Sequence, residues 1–375
     1  MKKNKLYLES GYLNMDYIMA LKTPYIMVVG GRGTGKTYGA LKYVLEHRIT
    51  FMLMRRTQTA IDLVNKPEFS PIKPVCEDMN LSIKPFPISK GSSAFYDVDE
   101  EGNNLGGLPY GYTCALSTIS NMRGFSAEDC KICIYDEFIP EKHERPLKNE
   151  AAAFYNAYET INRNRELKGD PPLKMLCLAN ANDIANPLFL DMGLVARAQR
   201  MIDTKTEMWQ DNDRGITLIM LQHSPISAEK ANTALYRLTK NTLYSAMALD
   251  NDFRQEYSCI NPQKIIEYKP VCIVGELEIY QHKSRAQYYV TTHKSGVCPT
   301  YESTERGIQM FNAHFAWFRL TYYLSNTVLF ESPICEVLLD KYFREGAKIS
   351  SRKKKNPPRR IGGAVAVKKC WGAKP

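Results

Sequence analysis

The residues Gly30-Gly-Arg-Gly-Thr-Gly-Lys36-Thr37 have the spacing G-x-x-x-x-G-K-[ST] of a phosphate-binding loop. In such a loop successive main-chain N–H groups turn inward around phosphate oxygens. Glycines at Gly30, Gly31, Gly33 and Gly35 permit that fold and the close approach of the ligand. Lys36 supplies a point charge for the β- and γ-phosphates. Thr37 offers a hydroxyl to Mg²⁺, and Arg32 and Thr34 complete the wrap around the nucleotide. A helix opening at Lys36 would add its positive end to the same phosphates.

A second chemical signal lies about a hundred residues on. Ile132-Cys-Ile-Tyr-Asp136-Glu137 reads as a buried strand ending in two acids. Neighbours on a strand point to opposite sides, so the pair divides into two roles. Asp136 suits Mg²⁺, and Glu137 suits the orientation and polarisation of an attacking water. A glutamate there implies hydrolysis. An N-K-x-D string after the acidic strand would imply GTP. The nearest match, Asn65-Lys66-Pro67-Glu68, is incomplete and lies before that strand, so ATP is expected. Asn180, at the end of a further buried run, is placed to sense the γ-phosphate. Arg55 and Arg56 end the second strand-like run, and one of them is expected to touch phosphate in cis. Arg163 and Arg165 close the helix after the acidic strand, and Arg123 precedes that strand. These three are the candidates for stabilising transition-state charge.

The elements that must position these groups alternate. Tyr25–Val29, Ile49–Met54, Lys131–Tyr135 and Leu173–Leu178 are short apolar runs, with helical spacing over Lys36–His47 and Asn149–Arg165. Strands alternating with helices predict an α/β domain with a parallel sheet covered on both faces. Leu81 to Thr118 reads as hairpins. Ser224 to Phe253 reads as a polar helical linker. Pro270–Val274, Glu276–Gln281 and Ala286–Thr292 then predict an antiparallel meander, followed by helices over Gly307–Tyr323 and Pro333–Phe343. The expected division is 1–221, 222–254, 255–347 and a basic tail 348–375.

Composition narrows the class. The 375 residues are 44% hydrophobic, with no run of membrane-spanning length and no signal peptide after the two N-terminal lysines. Ten cysteines are too sparse for a disulfide scaffold, and Cys130-x-x-Cys133 lacks a second pair at zinc spacing, so buried thiols are expected. Of the net charge of +10, nine Lys or Arg fall within 352–375 with no acid, which leaves the rest of the chain near neutral. That tail has the charge to meet nucleic-acid phosphates.

Together, Leu53-Met-Arg55-Arg56, Ile134-Tyr-Asp136-Glu137-Phe138, Asn162-Arg163-Asn164-Arg165-Glu166 and Cys177-Leu-Ala-Asn180-Ala181 resemble the DNA packaging ATPases of phi29-type phages. Met247-Ala-Leu-Asp250-Asn251-Asp252-Phe253 resembles that family's interdomain segment. The resemblance implies an additional-strand, catalytic-glutamate P-loop NTPase of RecA-like fold, related to the FtsK/HerA translocases. A helical linker and a small α+β RNase H-like domain without working nuclease chemistry would follow. It implies a pentameric ring that drives double-stranded DNA into a preformed capsid at its portal vertex in the host cytoplasm. Whether a structural packaging RNA takes part stays open. By position, Arg163 matches the family's trans arginine finger, Arg123 a trans-acting basic residue, and Lys142 a pore lysine on DNA. Three alternatives are another ring translocase, a nucleotide-switched nucleic-acid binder, and a terminase-like enzyme that also cuts, for which Glu276 and Glu278 are the acids at hand.

Overall fold

The computed structural model describes residues 5–122, 127–141, 144, 147, 149–181, 184, 186–222, 224–240, 261, 263–295, 297–325 and 327–355. The chain divides into two units, Met1–Gln255 and Glu256–Pro375.

Nine strands of the first unit form one sheet: β1 (Tyr25–Gly30), β2 (Phe51–Arg55), β3 (Ile83–Ser89), β4 (Ser92–Asp97), β5 (Gly111–Ala115), β6 (Ile132–Asp136), β7 (Lys174–Asn180), β8 (Met208–Asp211) and β9 (Ile216–Met220), in the order β3-β4-β5-β2-β6-β7-β1-β9-β8. From β5 to β9 every pairing is parallel. The β3–β4 hairpin on one side and β8 on the other are antiparallel. Alternation explains why the parallel strands read as continuous apolar runs. Met27 and Val29 enter one core with Met52, Met54, Cys133 and Tyr135. Ile26 and Val28 enter the other with Phe51, Leu53, Ile132 and Ile134. Helix Lys36–Glu46 buries Ala40, Leu41, Val44 and Leu45 on the second face, and helix Glu150–Asn162 buries Phe154, Ala157 and Ile161 on the first.

One strand, β7, separates β1 from β6. The apolar run Ile216–Leu221, which the sequence reading passed over, supplies β9. It pairs with the free side of β1, and the Leu221 amide continues that pairing to the Val29 carbonyl at 2.8 Å. Gly30 has a structural reason here: a Cβ on it would stand 2.6 Å from the Leu221 side chain.

The second unit has β10 (Tyr268–Val274), β11 (Leu277–His282), β12 (Tyr288–Thr291), β13 (Thr300–Tyr301) and β14 (Val328–Phe330), in the order β13-β10-β11-β12-β14. The antiparallel meander β10-β11-β12 is the predicted one. Glu276 is a correction. It lies in the Gly275 turn and is exposed, so it does not share a strand face with Glu278, which is fully buried on β11. Glu278 accepts from Ser295 Oγ at 2.6 Å, from the Ser295 amide, and from Cys298 Sγ at 3.4 Å. The single helix expected over Gly307–Tyr323 is two, Glu305–His314 and Ala316–Leu324. The break seats the Phe315 ring between Tyr301 and Trp317, with centroids at 5.8 and 6.0 Å. Helix Pro333–Lys355 runs past Phe343 into the basic segment.

A buried ion pair ties the first sheet to its covering helix. Arg56 follows β2 and is 4% exposed. Its Nε and Nη2 donate to Glu150 at 2.8 and 3.0 Å, and Nη1 donates to Glu144 at 2.7 Å. Glu150, at 3% exposure, opens helix Glu150–Asn162. Removing one partner of such a pair strands the other charge. Arg56→Met should therefore cost about 3–5 kcal/mol in denaturant unfolding. The Arg56→Met/Glu150→Leu double variant should recover much of that loss, because no unpaired charge remains buried.

Candidate nucleotide site

Parallel pairing brings three strand ends to one edge of the sheet. Gly30 stands level with Asn180 across β1 and β7, and Asp136 level with Leu178 across β7 and β6. The loop after β1 turns through positive φ at Gly33 (+69°) and Gly35 (+83°), and Gly35 caps helix Lys36–Glu46. Side chains rarely adopt those angles, so glycine is needed at both places. The N-terminal segment braces the loop from outside: the Leu13 amide donates to the Thr34 carbonyl at 3.2 Å, and Tyr12 packs beneath Gly35.

Lys36 is buried inside this loop. Its Nζ donates to the carbonyls of Gly30 (3.0 Å) and Gly31 (2.6 Å) and reaches Thr34 Oγ1 and Asn180 Oδ1, each at 3.4 Å. Burial lowers the pKa of its ammonium from 10.5 to about 8; Asp136 opposes that shift, and Lys230 and Arg32 add to it. The Thr37 hydroxyl donates to both Asp136 oxygens, at 2.9 and 3.0 Å. Asp136 is buried, and burial raises its carboxyl pKa against the pull of Arg55. A hydroxyl and a carboxylate converging on one point form a hard-oxygen donor set of the kind Mg²⁺ takes. A pocket of about 210 Å³ joins Gly33, Gly35, Lys36, Thr37, Asp136, Glu137 and Asn180.

Glu137 differs from Asp136 in exposure and backbone conformation. Its side chain is 60% exposed and its backbone sits at φ +56°, a left-handed conformation that costs a non-glycine residue free energy. Its amide donates to Asp136 Oδ1 at 3.1 Å, and its carboxylate shares the Arg55 guanidinium with Asp136. One Arg55 nitrogen bonds Glu137, and the other lies 2.8 Å from Asp136 Oδ2. Among the described residues the buried Arg55 Nε has no hydrogen-bond partner.

This geometry separates residues that sequence left equivalent. Of Arg55 and Arg56, Arg55 faces the acids. Arg56 is corrected from a nucleotide contact to a structural residue, because alternation along the chain sends it to Glu150 and Glu144. Arg165 is buried, donating to the Ala127 and Glu128 carbonyls at 3.2 and 3.1 Å, so it has no free reach toward another subunit. Arg163 caps the far end of a 13-residue helix that begins beside Arg56, about 20 Å along the axis, and lies 3.6 Å from Glu128. The Arg32 side chain pairs with Glu141. Arg123, Lys142, the Met247–Phe253 string and the tail beyond Lys355 lie outside the described residues. Asn65, of the incomplete guanine-type string, caps helix Gln58–Val64 and accepts from Thr113 at 2.7 Å. Cys130 and Cys133 are buried free thiols, both with pKa raised by burial. Lys230, which touches the loop, carried no motif to mark it.

A profile of the podovirus DNA encapsidation protein (Gp16) family matches residues 1–269. Two relatives called DNA packaging protein, from Bacillus phage PZA and Bacillus phage phi29, are each 27% identical over 259 residues, 68% of this chain and 67% of theirs. The fold is similar to that of a chain in the bacteriophage Phi-29 viral genome packaging motor assembly, with TM-score 0.62 and 20% identity over 89% of this chain and 99% of that one. It is also similar to the Phi-28 gp11 DNA packaging motor, with TM-score 0.57 and 18% identity over 91% and 99%.

The depressed pKa of Lys36 sets a pH dependence. Between about pH 8 and 10.5 the unfolded chain binds the extra proton, so stability of the protein without nucleotide rises with pH across that window. Nucleotide needs the ammonium, so affinity for a fluorescent ATP analogue should fall as pH rises above about 8, by at most about tenfold per pH unit. Lys36→Arg should flatten the profile. A flat wild-type profile from pH 7.5 to 9.5 would contradict the titration.

Proposed function

The chain belongs to the podovirus DNA encapsidation protein family, whose work is packaging phage DNA, and from that premise we propose that it does so by hydrolysing ATP at the Gly30–Thr37 loop. The observation that carries this reading is the convergence of Lys36, Thr37, Asp136 and Asn180 at one sheet edge, with Glu137 turned out beside them.

In the proposed reaction the main-chain amides of the loop and the Lys36 ammonium hold the β- and γ-phosphates. Thr37 and Asp136 would hold Mg²⁺, which neutralises phosphate charge. Asn180 contacts the γ-phosphate from the end of β7. Glu137 positions water for in-line attack on the γ-phosphorus. The water forms the new P–O bond as the bond to the ADP oxygen breaks, and Glu137 takes up the water proton. Arg55 holds Glu137 in this structure, so the carboxylate has to leave Arg55 before it can face the water. Arg163 stands far from the phosphates of its own subunit, which supports a role in completing a neighbour's site, as in a ring. We propose a homopentameric ring at the capsid portal that grips double-stranded DNA by its phosphates, with Lys142 among the contacts.

The meander β10-β11-β12, with β13 parallel beside β10, supports an RNase H-like reading of the second unit. Glu278, sealed under Ser295 and Cys298, supports a unit that no longer cuts DNA. Among the described residues no helix is long and apolar enough to cross a membrane.

The test is ATP-dependent protection of DNA from nuclease inside purified empty capsids. Wild-type protein should protect, and Lys36→Ala should not. Glu137→Gln should bind ATP with near wild-type affinity while turnover falls by at least about a hundredfold. Wild-type turnover in that variant would remove Glu137 from the reaction.

A further inference from the structure

Lys230 sets a third cation against the phosphate loop, beside Lys36 and Arg32. It ends the short helix Ser227–Lys230, in the stretch that follows β9 toward the end of the first unit. The base of that helix is fixed. Ile226 is buried, and a Cβ on Gly11 would meet the Ile226 amide at 2.9 Å. From this base the side chain crosses to the loop. Its Nζ donates to the Arg32 carbonyl, and a Cβ on Gly33 would meet it at 2.9 Å. The Tyr236 ring, from helix Ala234–Leu238, lies 5.3 Å from the ammonium. Among the described residues no carboxylate pairs with Lys230, and burial lowers its pKa.

A half-buried ammonium held by a neutral carbonyl and a ring face is poorly compensated. It stands against a loop built to hold a polyanion. A phosphate oxygen is a stronger acceptor for an ammonium than a neutral amide carbonyl, because it adds the attraction between opposite charges. The position also indicates which phosphate. Arg32, whose carbonyl holds Lys230, pairs through its side chain with Glu141, four residues beyond the Glu137 that would activate water. The Arg32 end of the loop therefore lies on the hydrolysis side, where the terminal phosphate has to be.

We propose that Lys230 is a phosphate-contacting residue of the nucleotide site: its ammonium moves from the Arg32 carbonyl to the terminal phosphate of ATP and draws the segment after β9 with it. The proposal rests on the reading of Gly30–Thr37 as an ATP site. It makes Lys230 a sensor of nucleotide state, carried by the part of the chain that leads toward the second unit.

Lys230→Met keeps the aliphatic stem and removes the charge. In the full-length chain it should weaken binding of fluorescent ATPγS about tenfold or more, the worth of one charge-assisted hydrogen bond, and weaken ADP by a smaller factor. Lys230→Arg should restore most of the ATPγS affinity. At saturating nucleotide, ATPγS should change proteolytic cleavage within 231–240 relative to ADP in wild type, and this difference should vanish in Lys230→Met. Wild-type ATPγS affinity in Lys230→Met overturns the proposal. So does an equal loss for both nucleotides with a lowered melting temperature, which would make Lys230 a prop for the loop. Lys36→Ala separates the two levels. Binding that depends on Lys36 but ignores Lys230 ends this proposal alone, whereas a wild-type chain that binds no ATPγS ends the nucleotide-site reading itself.

Discussion

The parallel register of β1, β7 and β6 is the constraint on which the site depends. Gly30 opposite Asn180, and Leu178 opposite Asp136, put the loop, a polar amide and an acidic pair at the same height of one sheet edge. Slipping either pairing by one residue would exchange the faces of Met27 and Val28, or of Ile134 and Tyr135, between two packed cores. The hydrophobic division between those cores therefore fixes where the chemistry stands. A fully buried parallel sheet gives its polar groups few places to emerge, and its strand ends are the main ones.

Charge then decides how these groups are held. Lys36, Arg32 and Lys230 surround the loop, while Asp136 and Glu137 face Arg55. Burial is the main cause of the lowered Lys36 pKa, and the nearby cations Lys230 and Arg32 add to it; the loop carbonyls that accept from the ammonium offset only part of that cost. Arg55 serves the acids in the same way. It spans Asp136 and Glu137 with its two terminal nitrogens and leaves Nε without a partner among the described residues, an arrangement with little in reserve once Glu137 is needed elsewhere. A triphosphate would reward the cations, and its arrival would change which acids Arg55 still has to hold.

Much of this was legible in residue order because phosphate binding makes narrow local demands. Glycines, a lysine and a threonine at fixed spacing can be read without knowing the fold, and an apolar run ending in Asp136–Glu137 announces its own strand. What could not be read needed partners distant in sequence. Arg55 and Arg56 are equivalent as text, and Glu150 and Glu144, which lie beyond β6 in the chain, draw Arg56 away from the acidic pair. Ile216–Leu221 is an evident apolar run, but its place beside β1 follows from the order of the sheet. Lys230 sits in a polar stretch among many lysines. Its meaning comes from a carbonyl 198 positions earlier. Glu276 and Glu278 share a parity that suggests one face, yet the hairpin turns between Val274 and Leu277 and takes Glu276 out of the strand.

The same topology bears on assembly. A helix that starts beside the catalytic edge must run back along the sheet to begin the next parallel strand, so its C-terminal residue ends up at the opposite edge. Glu150 lies near the acids, and Arg163 lies at the far end, with φ +47° turning the chain toward β7. No rotamer of Arg163 spans about 20 Å of helix. Arg163 lies 3.6 Å from Glu128, and Arg165, two residues on, is held by the Ala127 and Glu128 carbonyls, so the two arginines are anchored to the same loop and the proposed role in a neighbour's site falls to the less buried Arg163. The loop, Asp136 and Glu137 stand together at one edge, and Arg163, 3.6 Å from Glu128, stands apart from them. In the proposed ring, that division would let hydrolysis in one subunit depend on the position of the next.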